Sequence, residues 1–321
     1  MENSNSQELV MFYNVENLFS PDKKPVHKLD PTISGLTNWD ERKYQHKLSK
    51  IAQVFDLVRK EEGVLPMLIG LSEIHGQTPL ENLVALEPLD SNYGIVHYES
   101  LDERGVDVAL LFDKSKIEIV HAEPITFFFE TDPQSPVNYD TTRDVLFCKV
   151  RYLKNKDLIN VFVCHLPSKR EKDVNRDKRV HILSEIRERI IKLNLAGEAT
   201  ILCGDFNENP DADYLNNLLY NDEFNKILHN PFLDLYNRGF FSAFHLKSGL
   251  VFDQIYLSTE FFTADYQLQF QEAKVFSPEK LRSGNKDYSN RPFRTYAGTR
   301  YLGGYSDHFP VIIKLLQHLN N

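Results

Sequence analysis

The sequence predicts an α/β fold in which strands outnumber helices, carried by one uninterrupted domain. Three observations predict it. Apolar runs of strand length recur along most of the chain, two stretches of helical periodicity fall between groups of them, and no Gly/Ser linker, low-complexity tract or internal repeat divides them. Residues 1–321 are therefore expected to form a single domain with an ordered core over about 8–316.

Taken in order, ELVMFYNV reads as a strand closing in an Asn-rich turn, and residues 20–38, with Pro, Asp, Gly and Lys, read as a loop. WDERKYQHKLSKIAQVFDLVRKEEG places Tyr44, Leu48, Ile51, Phe55 and Val58 on one helix face, stopped at Gly63. PMLIGLSE is an unbroken apolar run, the pattern of a strand covered on both faces. Thr78 and Glu81 have capping-box spacing for a short helix through Leu86. YGIVHYE, GVDVALLF, KIEIVHAE and ITFFF are strand candidates, the last read as buried; RDVLFCKVRY and LINVFVCH follow, joined by LKNKD. A second amphipathic helix is predicted from about Asn175 to Leu193. ATILCGDF is another buried strand, ADYLNNLLY a short helix, LVFDQIYLS and LQFQEAKVF are strands, and HFPVIIKLL closes the chain.

Composition bounds the function. With 41% hydrophobic and 26% charged residues the chain can bury a substantial core, and no apolar run approaches the roughly 20 residues of a membrane-spanning helix. MENSNSQELV has neither a basic start nor an apolar stretch, so no signal peptide is expected; the cytoplasm is favoured, with secretion or the periplasm the alternative if a signal has been removed. Cys148, Cys164 and Cys203 are an odd set in apolar surroundings, which fits buried thiols rather than a disulfide framework or a zinc ribbon. A net charge of −9 works against broad capture of nucleic acid but leaves room for a local basic patch. A monomer is expected.

The informative polar residues stand at strand ends. Asn14 and Glu16 follow the first strand, Glu73 ends the second, His165 ends LINVFVCH, and Asp205 and Asn207 end ATILCGDF. Asp253 lies in VFDQIYL, and Asp307 and His308 precede the last strand. Side chains so placed can converge on one rim of a sheet, where ligands bind in open α/β sheets. Carboxylate oxygens are hard ligands suited to Mg²⁺, Mn²⁺ or Ca²⁺, whereas the HExxH and CxxC patterns of zinc sites, the GxSxG of serine hydrolases, the P-loop and GxGxxG are all absent. Metal-assisted attack of water on phosphorus is the chemistry left standing. Singly, each residue reads as a strand-end cap or a turn former; as an ordered set they do not.

YNVENLF, GLSEIHG, CHLPSK, CGDFNENP, VFDQIYLS and GYSDHFPV resemble, in that order, the motifs of the endonuclease/exonuclease/phosphatase superfamily, from residue 13 to residue 311. The resemblance implies a DNase I-like four-layer sandwich, two packed mixed β-sheets flanked by helices, and Mg²⁺-dependent cleavage of phosphate esters. It implies that Glu73, with Glu16 and Asp307, holds the metal; that Asn14 orients the carboxylate and phosphate; and that Asp205 orients or deprotonates the attacking water. Asn207 would donate to a phosphoryl oxygen. His308, steadied by Asp253, would serve as base or bind the developing phosphorane charge, and His165 would protonate the leaving oxygen. Arg143 and Arg104 resemble substrate contacts of the family. RPFRTYAGTRYLGGYSDH resembles a bacterial subgroup of unassigned substrate and adds Arg294 and Tyr296 as phosphate and stacking contacts. Arg176 follows His165 closely enough to reach the same rim.

Among substrates, LVFDQIYLS departs from the inositol-polyphosphate phosphatase pattern, and His165 followed by LPS resembles DNase I and sphingomyelinase members more than abasic-site endonucleases. A nuclease acting on DNA or RNA leads, and a sphingomyelinase-like or other lipid or small-molecule phosphodiesterase or phosphatase follows. A catalytically silent protein of the same fold predicts a lost ligand, and all the expected polar residues are present.

Overall fold

The computed structural model describes residues 6–21, 36–102, 104–130, 139–169 and 173–317. Two six-stranded mixed sheets form its centre. In the first the order is Leu268–Val275, Val311–Gln317, Ser6–Phe19, Leu68–His75, Asp107–Asp113, Tyr93–His97. In the second it is Leu228–His229, Asp253–Ser258, Ala199–Asp205, Leu158–His165, Val145–Tyr152, Ile117–Ile125. Each sheet has one parallel pair at its middle, Ser6–Phe19 with Leu68–His75 and Leu158–His165 with Ala199–Asp205, and the remaining neighbours are antiparallel.

These sheets pack face to face through their apolar central strands. Gly70 lies so close to the opposite sheet that an added Cβ would stand 2.9 Å from the Cys203 sulfur. Helix α1 (Glu41–Glu62) covers the outer face of the first sheet with Tyr44, Leu48, Ile51, Phe55 and Val58, all buried. The short helix α2 (Gln77–Val84) covers the same side, and α3 (Arg176–Leu195) covers the second sheet with Ile182, Leu183, Ile186 and Ile190. The result is the expected four-layer sandwich. No helix among the described residues is long and apolar enough to cross a membrane.

Local chemistry explains the element ends. Asp40 caps α1 by accepting from the Lys43 N–H at 2.8 Å, and Gly63 ends it at φ 80°, a left-handed conformation that costs glycine nothing. The expected capping box of α2 is not formed: the helix begins at Gln77, which puts Thr78 inside its first turn, and Gly76 precedes it without a side-chain cap. ITFFF is not one buried strand. Phe127 is buried and Phe129 packs on the same cluster, but Phe128 is 54% exposed on a short ribbon, Phe128–Glu130 paired with Tyr139–Thr141. Most of the loop expected over 20–38 lies outside the described residues.

The first strand also departs from expectation. ELVMFYNV does not close in a turn; the strand runs on to Phe19 through an irregularity between Asn14 and Leu18, where Glu16 and Asn17 have φ of 53° and 56°. Its parallel neighbour is irregular between Ser72 and Ile74, with Glu73 at φ 65°. Left-handed backbone at non-glycine residues is strained, and bulges of this kind re-aim side chains. Here they turn two carboxylates toward the same rim.

Candidate functional site

That rim is set by strand direction. The parallel pair of the second sheet ends at His165 and Asp205, and that of the first carries Glu73 at its irregularity two residues before the strand end at His75. The antiparallel strands Asp253–Ser258 and Val311–Gln317 begin on the same rim, which brings in Asp253, Asp307 and His308. In the second sheet, Asp205 is flanked in register by His165 on one side and Asp253 on the other.

Asp205 is the centre of the cluster. Its Oδ2 accepts from Asn14 Nδ2 at 3.0 Å and lies 3.7 Å from His165 Nε2 and 4.0 Å from His308 Nε2. Oδ1 accepts the Asn207 N–H at 2.9 Å. Burial pushes the carboxyl up to about 6, with His308 pulling it down and Asp253 adding to the rise. Asn14 Nδ2 also reaches Glu73 Oε1 at 3.3 Å, so one amide links the two sheets' carboxylates. Glu73 Oε2 accepts the Asn17 N–H at 3.0 Å.

The two histidines differ in their partners. His308 Nδ1 lies 2.7 Å from Asp253 Oδ2, which also accepts from Ser242 Oγ at 2.6 Å. Burial opposes the charged ring, but Asp253, then Asp205 and Asp307, hold its pKa well above the ordinary value. His165 has no such partner: its Nδ1 is buried without a hydrogen bond. Burial, then Arg143 and Arg104, press His165 well below the ordinary range.

Glu16 accepts from the backbone N–H groups of Thr295 (2.6 Å) and Tyr296 (3.3 Å). Burial and then the Asp307 charge push it up to about 7, while Lys47 and Arg294 pull it back. Arg294 spans the gap, 3.1 Å from Asp307 Oδ2 and 3.7 Å from Glu16 Oε1. Lys47 is buried beneath them; burial lowers it to about 8 against the pull of Glu16.

Other expected contacts are engaged elsewhere. Arg143 is buried and donates to the His165 carbonyl (3.1 Å), the Leu166 carbonyl (2.9 Å) and Asp102 (3.3 Å), so its guanidinium braces the His165 strand end. Arg104 lies 3.7 Å from Asp102. Asn207 Nδ2 donates to the Leu166 carbonyl at 2.9 Å. Tyr296 is buried, its hydroxyl donating to the Thr37 carbonyl at 3.1 Å and its ring edge-on to Tyr301. Arg176 is exposed and stacks over Tyr214 at 5.4 Å. Sequence reasoning missed Lys47, Ser242 and Ser306. The only signal for Lys47 was its position on the apolar face of α1, and Ser306, which donates to the Asn14 carbonyl at 2.7 Å, stood unread inside GYSDH.

The donors suit a hard divalent cation. Glu73, Glu16 and Asp307 offer oxygen only, burial and then the Asp307 charge raising Glu16 to about 7, and the three cysteines are buried elsewhere as free thiols. Asp205, Asp253 and His308 have ligand-type atoms within 4.8 Å of one another. That trio is already bonded internally, since Asp253 Oδ2 accepts from both His308 and Ser242, and it reads as a positioned imidazole rather than a cation cage.

A family model described as the Endonuclease/Exonuclease/phosphatase family matches residues 9–317. An endonuclease/exonuclease/phosphatase family protein from Bacteroides thetaiotaomicron is similar at a TM-score of 0.60 and 15% identity, covering 98% of this chain and 100% of its own. A mannosyl-6-phosphatase from the same species is similar at 0.60 and 15%, covering 96% and 99%. D. rerio TDP2 complexed with a single-strand DNA product is similar at 0.58 and 14%, covering 97% and 99%. No curated protein matches the sequence. At these identities the structures establish the fold, and the family follows from the sequence model: this chain belongs to the Endonuclease/Exonuclease/phosphatase family.

Proposed function

We propose that this protein is a divalent-cation-dependent phosphoesterase that hydrolyses phosphodiester bonds in DNA or RNA, with Mg²⁺ as its ion and Mn²⁺ or Ca²⁺ as substitutes. The observation that carries this reading is the convergence of Asn14, His165 and His308 on one oxygen of Asp205, with the Glu73 carboxylate tied to it through Asn14. Glu73, Glu16 and Asp307 would hold the cation, which when bound neutralises the phosphate and the charge that develops on it.

The chain's own groups divide the proton work. A carboxyl at about 6 is matched to taking a proton from water near neutral pH, so Asp205 is the base. His308 is an imidazolium fixed by Asp253, and its Nε2–H, 4.0 Å from both Asp205 Oδ2 and Asp307 Oδ1, is the donor to the phosphoryl oxygens or the leaving oxygen. His165 is neutral in the free protein and serves as a hydrogen-bonding group, which reverses the weighting that the resemblance gave it as the acid. Asn14 keeps Asp205 and Glu73 in fixed relation.

Nucleic acid is favoured by the cationic and aromatic groups of the segment that leads to Asp307: Arg294, which pairs with Asp307, and Tyr301 with Lys43 lying 5.3 Å over its ring. A second reading, a hydroxyl-rich phosphate ester such as a sugar phosphate or lipid headgroup, is favoured by one groove. It begins at Pro167 and Ser168, just past His165, and its lining among the described residues, with Thr141, Thr142 and Asn175 beside Arg104 and Lys178, includes no aromatic ring. The similar structures include both a mannosyl-6-phosphatase and a TDP2 with DNA product, so the fold accommodates both kinds.

The test is turnover of bis-p-nitrophenyl phosphate with Mg²⁺, expected to vanish with EDTA and with Asp205→Ala. Values of kcat/KM over single-stranded DNA, plasmid, RNA, sphingomyelin and sugar phosphates then choose the substrate. Preference for a sugar phosphate or lipid selects the second reading, and no turnover of any ester with Mg²⁺, Mn²⁺ or Ca²⁺ rejects both.

A further inference from the structure

Lys47 is the one charged residue that α1 turns fully inward. It sits between Tyr44 and Leu48 on the apolar face and is 1% exposed. Its Nζ donates to Thr295 Oγ1 at 2.5 Å and to the Tyr305 carbonyl at 2.7 Å. Both belong to the segment that carries Arg294, Asp307 and His308, and the Thr295 and Tyr296 N–H groups of that segment hold Glu16. Glu16, Asp307 and Glu73 all lie within Coulombic reach of the ammonium.

Two neutral acceptors do not compensate a buried ammonium; an uncompensated one is strongly destabilising, and the nearby carboxylates supply the opposite charge. The reverse also holds. Glu16 and Asp307 repel each other in the free protein, and Lys47 sits where its charge attracts both of them and Glu73. A longer or branched aliphatic residue would satisfy α1's apolar face equally well, so packing alone does not account for a lysine here.

We infer that Lys47 is a positioning residue of the hydrolytic site: a built-in monovalent charge that ties the segment from Arg294 to His308 onto α1 and neutralises part of the carboxylate cluster before a divalent ion arrives. The inference rests on the divalent-cation reading above. It makes Lys47 and the ion partial competitors for the same negative charge. Removing the charge raises the cluster's attraction for the ion, and it weakens the ion-free protein more than the loaded one.

Three variants separate charge from packing and hydrogen bonding. Lys47→Gln keeps donors for Thr295 and Tyr305 without the charge, Lys47→Met removes both, and Lys47→Arg keeps the charge. Mn²⁺ is titrated calorimetrically into each, and thermal unfolding is followed in EDTA and in saturating Mn²⁺. Gln and Met variants are expected to melt below the wild type in EDTA, to recover most of that gap with Mn²⁺, and to bind Mn²⁺ about threefold to tenfold more tightly, as loss of a neighbouring like charge requires. Lys47→Arg is expected to stay within about twofold of the wild type, since the charge it must balance is unchanged. An equal melting gap with and without Mn²⁺, or Mn²⁺ affinity in Lys47→Gln no tighter than in the wild type, would make Lys47 merely structural and overturn the inference. Should Lys47→Met fail to fold, Lys47→Gln decides alone; should neither neutral variant fold even in saturating Mn²⁺, the charge is not exchangeable with an ion and the inference falls. A wild-type protein that binds no Mn²⁺ at all is a different result: it removes the divalent-cation reading itself.

Discussion

Nδ1 of His308 lies 2.7 Å from Oδ2 of Asp253, a carboxylate buried completely beneath it and held in turn by Ser242. Across the same rim His165 has a buried Nδ1 with no partner. Burial acts against charge on both rings; Asp253, Asp205 and Asp307 reverse it at His308, whereas at His165, with Asp205 3.7 Å away, burial and the Arg143 and Arg104 charges prevail, so the pair is driven to opposite protonation states. Groups pushed apart in this way identify which one donates and which one does not.

Asp253→Asn tests that division. The amide is nearly isosteric but removes the charge that holds His308 protonated and oriented. We expect kcat on bis-p-nitrophenyl phosphate to fall about 10²–10⁴-fold, with KM changed little and Mn²⁺ affinity preserved. Steady-state kinetics with calorimetric Mn²⁺ titration checks it; a fall below tenfold would remove His308 from the proton work.

Asp205→Asn should act differently. The substitution leaves shape and the contact with Asn14 but removes the base, so turnover is expected to fall by at least about 10²-fold, within the range assigned to general-base catalysis. Its folded pKa is raised to about 6 by burial, so the wild-type carboxylate costs stability at neutral pH and the Asn variant should melt at or above the wild type in EDTA. Loss of activity together with a higher melting temperature is the combination that distinguishes a strained functional carboxylate from a structural one.

Arg143→Ala addresses a residue whose donors are all turned inward. Removing it takes the side-chain donor from the buried His165 carbonyl, leaves Asp102 with Arg104 as its remaining cation and leaves the Leu166 carbonyl with Asn207 alone. The expected loss is about 3–5 kcal/mol of stability, the range for breaking a buried ion pair. Denaturant unfolding measures it. If Arg143 instead served substrate alone, KM would rise and stability would hold.

How far the letters reached depended on what backbone each residue sits on. His165, Asp205 and Asp253 lie at the ends of regular strands, where an apolar run stopping at a polar residue is visible and register does the rest. Glu16 and Glu73 were legible as polar residues, but not the left-handed backbone at φ 53° and 65° that aims them, because nothing in ENLF or SEIH requires a bulge. The inward turn of Arg143, Tyr296 and Lys47 was not legible for one reason: a long amphipathic side chain can snorkel or turn inward, and only its acceptors decide which. ITFFF failed similarly, since three adjacent Phe residues cannot all face one way on a strand, and Phe128 points out.

Stability against pH without metal gives the last prediction. Glu16 is raised by burial and Asp307 to about 7, above its unfolded value of 4.5, and His308 is raised above 6.5 because its carboxylates outweigh burial. A raised group contributes stability that is full below its unfolded pKa and is lost as pH rises through the folded one. His165 is lowered, so its contribution is fully present above 6.5 and changes only at lower pH. Between pH 6.5 and 8, then, Glu16 and His308 both lose stability, His165 does not offset them, and Lys47, lowered to about 8, begins to offset them only at the upper end. In EDTA the melting temperature should fall across this window, by the equivalent of roughly 1–3 kcal/mol at about 1.4 kcal/mol per proton and pH unit. Saturating Mg²⁺ should flatten the fall, because a cation at Glu16, Glu73 and Asp307 favours the ionised carboxylates and returns Glu16 toward its ordinary range. Thermal unfolding at pH 6.5, 7.25 and 8, with EDTA and with Mg²⁺, measures it directly; parallel curves in the two conditions would detach the carboxylate cluster from divalent-ion binding.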